Sequence, residues 1–175
     1  APMETVTLEA CVQAVLADLD ASGFERAVLV GHSLGGATVP VAAARRPERI
    51  AHLVLLSTLL APDGGAIVDG FLPETREQAI RRLGNAEDAR IEMSDAHHRE
   101  MLNGTMSEED VEFLVRRHVA ESRRLFTDRA SRAGLPDDLA RSYIRLGQDL
   151  SVSPAQQAHA ISLLPGLEVR EIDAP

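Results

Sequence analysis

Two kinds of hydrophobic pattern alternate along the chain. Short apolar runs, unbroken or nearly alternating, predict strands at 27–30, 53–56, 143–146 and 167–172. Apolar residues at helical spacing predict helices at 8–19, 34–46 and 154–164. Thr7 and Ser153 are typical N-caps for the first and last of these helices, whereas Pro40 predicts a kink inside the second. Strands that alternate with helices imply right-handed crossovers, so the pattern predicts an α/β fold with a mostly parallel sheet.

The stretch from Pro62 to Leu139 does not follow this alternation. It is charged, rich in Arg and Glu, and its only periodicity is helical. We therefore expect a helical cap inserted between two strands, which divides the chain into core residues 1–61, cap residues 62–139 and core residues 140–175. The strand at 27–30 is wholly apolar, so it is predicted to be buried on both faces of the sheet.

Composition narrows the classes of function. The chain has 175 residues, 45% of them apolar, and a formal net charge of −9 with scattered Lys and Arg, which argues against nucleic-acid binding. Cys11 is the single cysteine, so no internal disulfide forms, and no segment has the length of a membrane span or the pattern of a signal peptide. We expect a cytoplasmic protein that uses neither membrane nor nucleic acid.

One short motif indicates a catalytic residue. Gly31-His32-Ser33-Leu34-Gly35 matches G-x-S-x-G and lies between a predicted buried strand and a predicted helix, the context of a nucleophile elbow. Ser33 is the candidate nucleophile, Gly31 and Gly35 leave room for the sharp turn, and the Leu34 amide is placed to stabilise an oxyanion. His32 lies beside the nucleophile and borders the expected substrate. The alternative is an ordinary Gly-rich turn between strand and helix.

Asp149 is the candidate acid that orients a catalytic histidine. It follows the predicted strand at 143–146 and lies at the carboxyl end of the sheet, where catalytic groups gather in open α/β folds. It also comes after Ser33 in the order of nucleophile, acid and histidine that this type of elbow uses. The alternative is an exposed aspartate that serves only its turn.

These segments resemble the α/β-hydrolase superfamily, and more narrowly its small-ester esterases, including the plant-type methyl esterase and hydroxynitrile lyase group. The resemblance rests on the elbow at 31–36, on 55–62 leading into the cap, and on 141–144 leading to Gln148-Asp149. It implies a three-layer fold with an inserted helical cap and hydrolysis of a small ester through a serine acyl-enzyme, without metal or cofactor. A lyase that cleaves a C–C bond of a cyanohydrin-like substrate, or an inactive truncated hydrolase that acts as a binding protein, are the alternatives.

The sequence of the predicted cap bears on two further points, the chemistry of the substrate and the binding of a metal ion. Apolar side chains near the cap entrance predict a hydrophobic acyl or alkyl group in the substrate; they are Ile67, Val68, Phe71 and Leu72. A second group in the cap combines acids and histidines, namely Asp95, His97, His98 and Glu100. Adjacent histidines on a helix point about 100° apart and do not easily share one ion, so we expect solvated helix surface and no metal site.

The chain departs from the family pattern in two places. The family's catalytic histidine follows the last strand, whereas the only histidine after Asp149 here is His159, on a predicted helix, so no base is assigned. The family's first strands and the loop with the second oxyanion N–H are also missing. We therefore expect either that the printed sequence omits parts of a longer enzyme or that the bare edge of the 27–30 strand is paired in an oligomer.

Overall fold

Strands and helices alternate along the chain in the computed structural model, which describes residues 2–84, 90–102 and 106–175. The strands are β1 Ala27–His32, β2 Ile50–Leu56, β3 Arg90–Ile91, β4 Glu121–Ser122, β5 Arg141–Leu146 and β6 Glu168–Ile172. The α-helices are α1 Leu8–Ala21, α2 Val39–Arg45, α3 Pro73–Gly84, α4 Asp95–Leu102, α5 Glu108–Arg117, α6 Arg124–Thr127 and α7 Pro154–Ser162. Short 3-10 helices lie at Met3–Thr5, Ser33–Ala37, Pro47–Arg49 and Ile67–Gly70.

The main sheet has four parallel strands within the described ranges, in the order β1-β2-β5-β6. His32 pairs with Leu56, and Leu56 pairs with Ile144, so β1 and β2 end side by side at one edge of the sheet, where β5 continues for two more residues. The α/β fold with a mostly parallel sheet is thereby confirmed. The described residues between β2 and β5 form helices, a small antiparallel pair of β3 with β4 and an isolated bridge between Gly65 and Ala130; the helical periodicity of that segment did not predict the strand pairing.

Strand β1 is an edge strand, and one of its faces is open. Val28 and Val30 are 58% and 56% exposed, whereas Ala27 and Leu29, on the opposite face, pack against the hydrophobic core. The prediction that this strand is buried on both faces is therefore wrong. An unbroken apolar run shows that the segment is hydrophobic. Its second face is buried only if another layer packs on it, and the described part of the chain places no layer there. Pairing of this edge in an oligomer stays a prediction.

The helices differ in how closely they follow the sequence pattern. Thr7 caps α1 by accepting a hydrogen bond from the Ala10 amide, as predicted. The predicted helix at 34–46 is instead two pieces, a 3-10 helix and then α2, and Pro40 lies in the first turn of α2. The predicted kink is therefore wrong, since a proline in the first turn leaves no helical hydrogen bond unmade. None of the described helices is long and apolar enough to cross a membrane.

Arg132 connects the two ends of the segment between β2 and β5. Its buried guanidinium donates hydrogen bonds to the carbonyl oxygens of Ala61 at 2.7 Å and Leu163 at 2.9 Å. Its backbone amide donates to Asp63 Oδ1 at 2.6 Å. Burial lowers the pKa of the guanidinium, and the nearby Asp63 carboxylate acts in the opposite direction. The two ends of the inserted segment are thus joined to each other and to the chain after α7.

Gln157 fastens α7 to the end of β5. Its side chain is fully buried; Oε1 accepts from the Leu146 amide at 3.0 Å, and Nε2 donates to the carbonyls of Leu146 and Val152 at 3.0 and 2.8 Å. Buried backbone groups need such partners because they have no access to water. The loop between Leu146 and Val152, which contains Asp149, is therefore held at both ends by one side chain.

We predict that Gln157→Leu lowers the free energy of unfolding by about 2–4 kcal/mol, because three buried backbone groups lose a partner. The matched control is Gln148→Leu in the same loop. That side chain is exposed and bonds only to the exposed Asp173, so its replacement changes the stability by less than about 0.5 kcal/mol. Denaturant unfolding of both variants measures the difference, and equal effects would contradict the prediction.

Candidate active site

Ser33 lies at the sharp turn where β1 ends and the 3-10 helix Ser33–Ala37 begins. Its φ of 51° places a non-glycine residue in the left-handed region, which only a well-supported turn tolerates. The side chain is half-buried, and its hydroxyl makes no hydrogen bond to any residue that the structure describes. The Leu34 amide is in the first helical turn, where N–H groups have no acceptor within the helix. This geometry presents a hydroxyl next to free backbone donors.

The room for this turn comes from two glycines. A Cβ at Gly31 would overlap the Val39 side chain, and a Cβ at Gly36 would overlap the Leu59 carbonyl oxygen. A Cβ at Gly35 would meet nothing within 4 Å. The close approach expected at Gly35 is therefore at Gly36 instead, because the 3-10 geometry turns that residue, rather than its neighbour, toward the segment after β2.

Asp149 is buried in the loop that follows β5. Its Oδ1 accepts hydrogen bonds from the backbone amides of Ser151 at 2.7 Å and Val152 at 2.9 Å. Its Oδ2 accepts a hydrogen bond from Ser57 Oγ at 2.6 Å. Asp149 is therefore not an exposed turn residue, which was the alternative. The carboxylate is held on both oxygens by groups from two different loops.

The turn after β2, residues 57–59, connects Ser33 to Asp149. The Ser57 hydroxyl donates to Asp149, while the Leu59 amide donates to the Ser33 carbonyl oxygen at 3.1 Å. The sequence analysis assigned no role to Ser57. The signal that could have identified it is its position, because it is the first polar residue after an apolar strand and therefore lies at the carboxyl edge of the sheet.

Tyr143 supports the same turn from within the sheet. Its hydroxyl donates to the Thr58 carbonyl oxygen at 2.9 Å, and its side chain is completely buried. Burial raises the pKa of this phenol to about 12, so the hydroxyl keeps its proton at neutral pH and remains a donor. The middle strand pair thus holds the backbone of residues 57–59 in a defined place.

Among the described residues, no histidine ring makes a hydrogen bond to Ser33 or Asp149. His32 is exposed at the end of β1, and His52 Nε2 lies 2.7 Å from Ser142 Oγ on the sheet. His159 is half-buried on α7, and its ring makes no hydrogen bond to the described residues. The remaining three, His97, His98 and His118, belong to the segment between β2 and β5. The structure therefore links the nucleophile candidate and the acid candidate through residues 57–59, and no histidine ring bonds to either of them.

The apolar residues expected at the cap entrance divide into two groups. Ile67 is only 2% exposed and belongs to the hydrophobic core, so it does not line an entrance. Val68, Phe71 and Leu72 are half-buried. Gln156 holds this segment to α7: its Oε1 accepts from the Leu72 amide at 3.0 Å, and its Nε2 donates to the Gly70 carbonyl oxygen at 2.8 Å.

The acid and histidine group in α4 has partners of its own. His97 Nδ1 lies 3.6 Å from Glu100 Oε2, whereas the His98 ring packs on the His118 ring with 3.9 Å between centroids. Burial, followed by the charge of His118, lowers the pKa of His98. Among the described residues, no group of three or more histidines, cysteines or acids is arranged to hold a metal ion.

Comparison with known proteins identifies the architecture. The model of the family described as the alpha/beta hydrolase fold matches residues 1–174. Lipase LipV of Mycobacterium tuberculosis is 41% identical over 88 residues, which cover 47% of this chain and 34% of that protein. The chain thus spans about a third of the length of this curated relative.

Three solved structures share the fold at low identity. An extracellular α/β-hydrolase from a Paenibacillus species, described as a structural and functional homologue of tobacco salicylic acid binding protein 2, has a TM-score of 0.78 at 19% identity and covers 97% of this chain and 72% of its own. A pyrethroid hydrolase from Sphingobium faniae has a TM-score of 0.75 at 24% identity, covering 99% and 72%. A mutant of polyneuridine aldehyde esterase has a TM-score of 0.75 at 17% identity, covering 98% and 72%.

We predict that Gly36→Ala and Gly35→Ala have opposite effects on stability. The added methyl at Gly36 overlaps the Leu59 backbone, so the free energy of unfolding falls by about 1–3 kcal/mol. The methyl at Gly35 meets open space, and the loss of chain entropy in the unfolded state leaves the stability unchanged or raises it by less than about 1 kcal/mol. Thermal unfolding of the two variants checks this, and a destabilised Gly35→Ala protein would contradict it.

Proposed function

Because this chain belongs to the alpha/beta hydrolase fold family, we propose that it hydrolyses a small hydrophobic carboxylic ester through a serine acyl-enzyme. Ser33 Oγ attacks the ester carbonyl carbon, and its proton passes to a histidine. The Leu34 amide stabilises the negative charge that develops on the carbonyl oxygen. The alcohol leaves with the proton that the histidine returns, and water then cleaves the acyl-enzyme by the same steps to release the acid.

The observation that carries this proposal is the backbone of Ser33. Ser33 has a φ of 51° and lies between the end of a strand and the first turn of a helix. This strained conformation costs free energy, and strained residues of this kind cluster at active sites. The Ser33 hydroxyl has no partner among the described residues and stays available to a substrate. The buried, doubly held carboxylate of Asp149 supports the second role, which is to fix the tautomer of a histidine.

No base is assigned, because none of the six histidine rings makes a hydrogen bond to Ser33 or Asp149. The experiments below use the natural protein that carries these residues. The Leu34 amide, in the first helical turn after Ser33, is the one oxyanion donor assigned among the described residues. A cytoplasmic location, inferred from composition and the free Cys11, stays a prediction.

A hydrophobic ester is proposed as the substrate on two grounds. Val68, Phe71 and Leu72 are apolar, half-buried side chains of the segment that enters the cap, and such surfaces bind acyl or alkyl groups. Relatives of this chain are named as a lipase and an esterase, which supports ester cleavage rather than another hydrolytic reaction. No metal or organic cofactor takes part in the proposed steps.

We predict that a fluorophosphonate probe labels the natural protein at Ser33. The tryptic peptide from Ala27 to Arg45 contains a single serine, so mass spectrometry of this peptide assigns the site. Ser33→Ala abolishes labelling, whereas Ser162→Ala, which removes an exposed hydroxyl on α7, leaves it unchanged. Asp149→Asn lowers the labelling rate by a factor on the order of 10³ to 10⁴, because the histidine loses the partner that orients it.

Three results would count against the proposal. Absence of labelling in the folded natural protein would favour an inactive binding protein with this fold. Labelling that persists in Ser33→Ala would place the nucleophile elsewhere. Labelling at Ser33 without turnover of p-nitrophenyl esters, together with release of an aldehyde from a cyanohydrin, would favour the lyase reaction.

A further inference from the structure

Ser57 occupies an unusual position for a residue outside the elbow. It is the first residue after β2, its side chain is completely buried, and its φ of 39° lies in the left-handed region. Its backbone amide donates to the Ile144 carbonyl oxygen at 3.0 Å, which continues the pairing of β2 with β5 by one residue. A buried polar side chain on a strained backbone indicates a constraint beyond the packing of the sheet.

Within the described part of the chain, the hydroxyl of Ser57 has one partner, Asp149 Oδ2, at 2.6 Å. A carboxylate has about four acceptor positions, two on each oxygen. The Ser151 and Val152 amides occupy both positions on Oδ1, and Ser57 occupies one on Oδ2. A single acceptor position remains, on Oδ2, and its direction is set by where the Ser57 hydroxyl lies.

We propose that Ser57 is a positioning residue for the catalytic acid: its hydroxyl donates to Oδ2 of Asp149 and directs the remaining acceptor position of that oxygen toward the N–H of the base. The inference rests on the proposed function, since it presumes that Asp149 serves a histidine. Ser57 touches neither the substrate nor the reacting atoms, and it acts only through the orientation of the carboxylate.

The strained backbone of Ser57 is part of the same arrangement. The Leu59 amide, two residues on, bonds to the Ser33 carbonyl oxygen, and the Tyr143 hydroxyl holds the carbonyl of Thr58. The left-handed conformation at residue 57 turns the chain abruptly, so that one short segment contacts the loop of the acid and the turn of the nucleophile. A glycine would adopt this backbone more easily but would provide no hydroxyl, which explains the presence of serine.

Two substitutions separate the role of the hydroxyl from that of the backbone. Ser57→Ala removes the donor and keeps the strained conformation, whereas Ser57→Gly removes the donor and relieves the strain. For the complete natural protein acting on p-nitrophenyl butyrate, we expect kcat to fall about tenfold to a hundredfold in both variants. We expect KM to change by less than about twofold, because the carboxylate orientation affects the transition state and not substrate binding.

The control variant is Ser142→Ala. It removes a serine hydroxyl that lies 2.7 Å from His52 Nε2 in the same sheet but has no contact with Asp149, and kcat should stay within about twofold of the natural protein. Circular dichroism and thermal unfolding verify that each variant is folded. Ser57→Gly should unfold at a higher temperature than Ser57→Ala, so it also reports on the hydroxyl if the alanine variant does not fold.

The outcomes distinguish this inference from the proposed function. If fluorophosphonate labels Ser33 in the natural protein but both Ser57 variants keep full kcat, the role of Ser57 is overturned while the proposed function stands. A normal kcat in Ser57→Gly with a low one in Ser57→Ala would show a backbone effect and also overturn it, as would a loss expressed only in KM. If the natural protein is not labelled at all, the proposed function fails and this inference fails with it.

Discussion

The in-register parallel pairing of β1, β2 and β5 is the constraint on which the rest of the site depends. Because His32, Leu56 and Ile144 lie opposite one another, β1 and β2 leave the sheet side by side, and β5 continues two residues further, to Leu146. A shift of one residue would invert the faces of a strand and separate these chain ends. The register therefore brings Ser33 and Ser57 to one edge, and the loop after β5 carries Asp149 to the same place.

Two serines in the left-handed region mark this edge, Ser33 with φ 51° and Ser57 with φ 39°. Each such residue costs on the order of 1–3 kcal/mol, so the surrounding contacts must impose it. At Ser33 the close approach of Gly36 to Leu59 and the bond from the Leu59 amide support the turn. At Ser57 the bonds to Ile144 and Asp149 do so. The two strained turns stabilise each other through the three residues 57–59.

Buried polar side chains hold the loops that the sheet does not reach. Gln157 bonds to both ends of the loop that contains Asp149, while Gln156, the adjacent residue, bonds to Gly70 and Leu72. Arg132 joins the two ends of the inserted segment. These side chains satisfy backbone groups that have lost contact with water, and a missing partner would leave an unpaired buried group. The same helix, α7, therefore holds both the loop of Asp149 and residues 70–72.

The sequence by itself determined the α/β class, the strands of the main sheet and the place of the elbow, because these follow from local hydrophobic period and from a motif whose residues are neighbours in the chain. It also located Asp149 at the carboxyl end of its strand. The position of Ser57 after an apolar strand was a local signal, but its bond to Asp149, 92 residues away, was not. The exposure of Val28 and Val30 likewise depends on which elements cover β1, and Gly36 rather than Gly35 approaches Leu59 only once the 3-10 turn has formed. Local patterns specify which elements form, whereas contacts between distant segments depend on how those elements pack, and only the tertiary structure decided them.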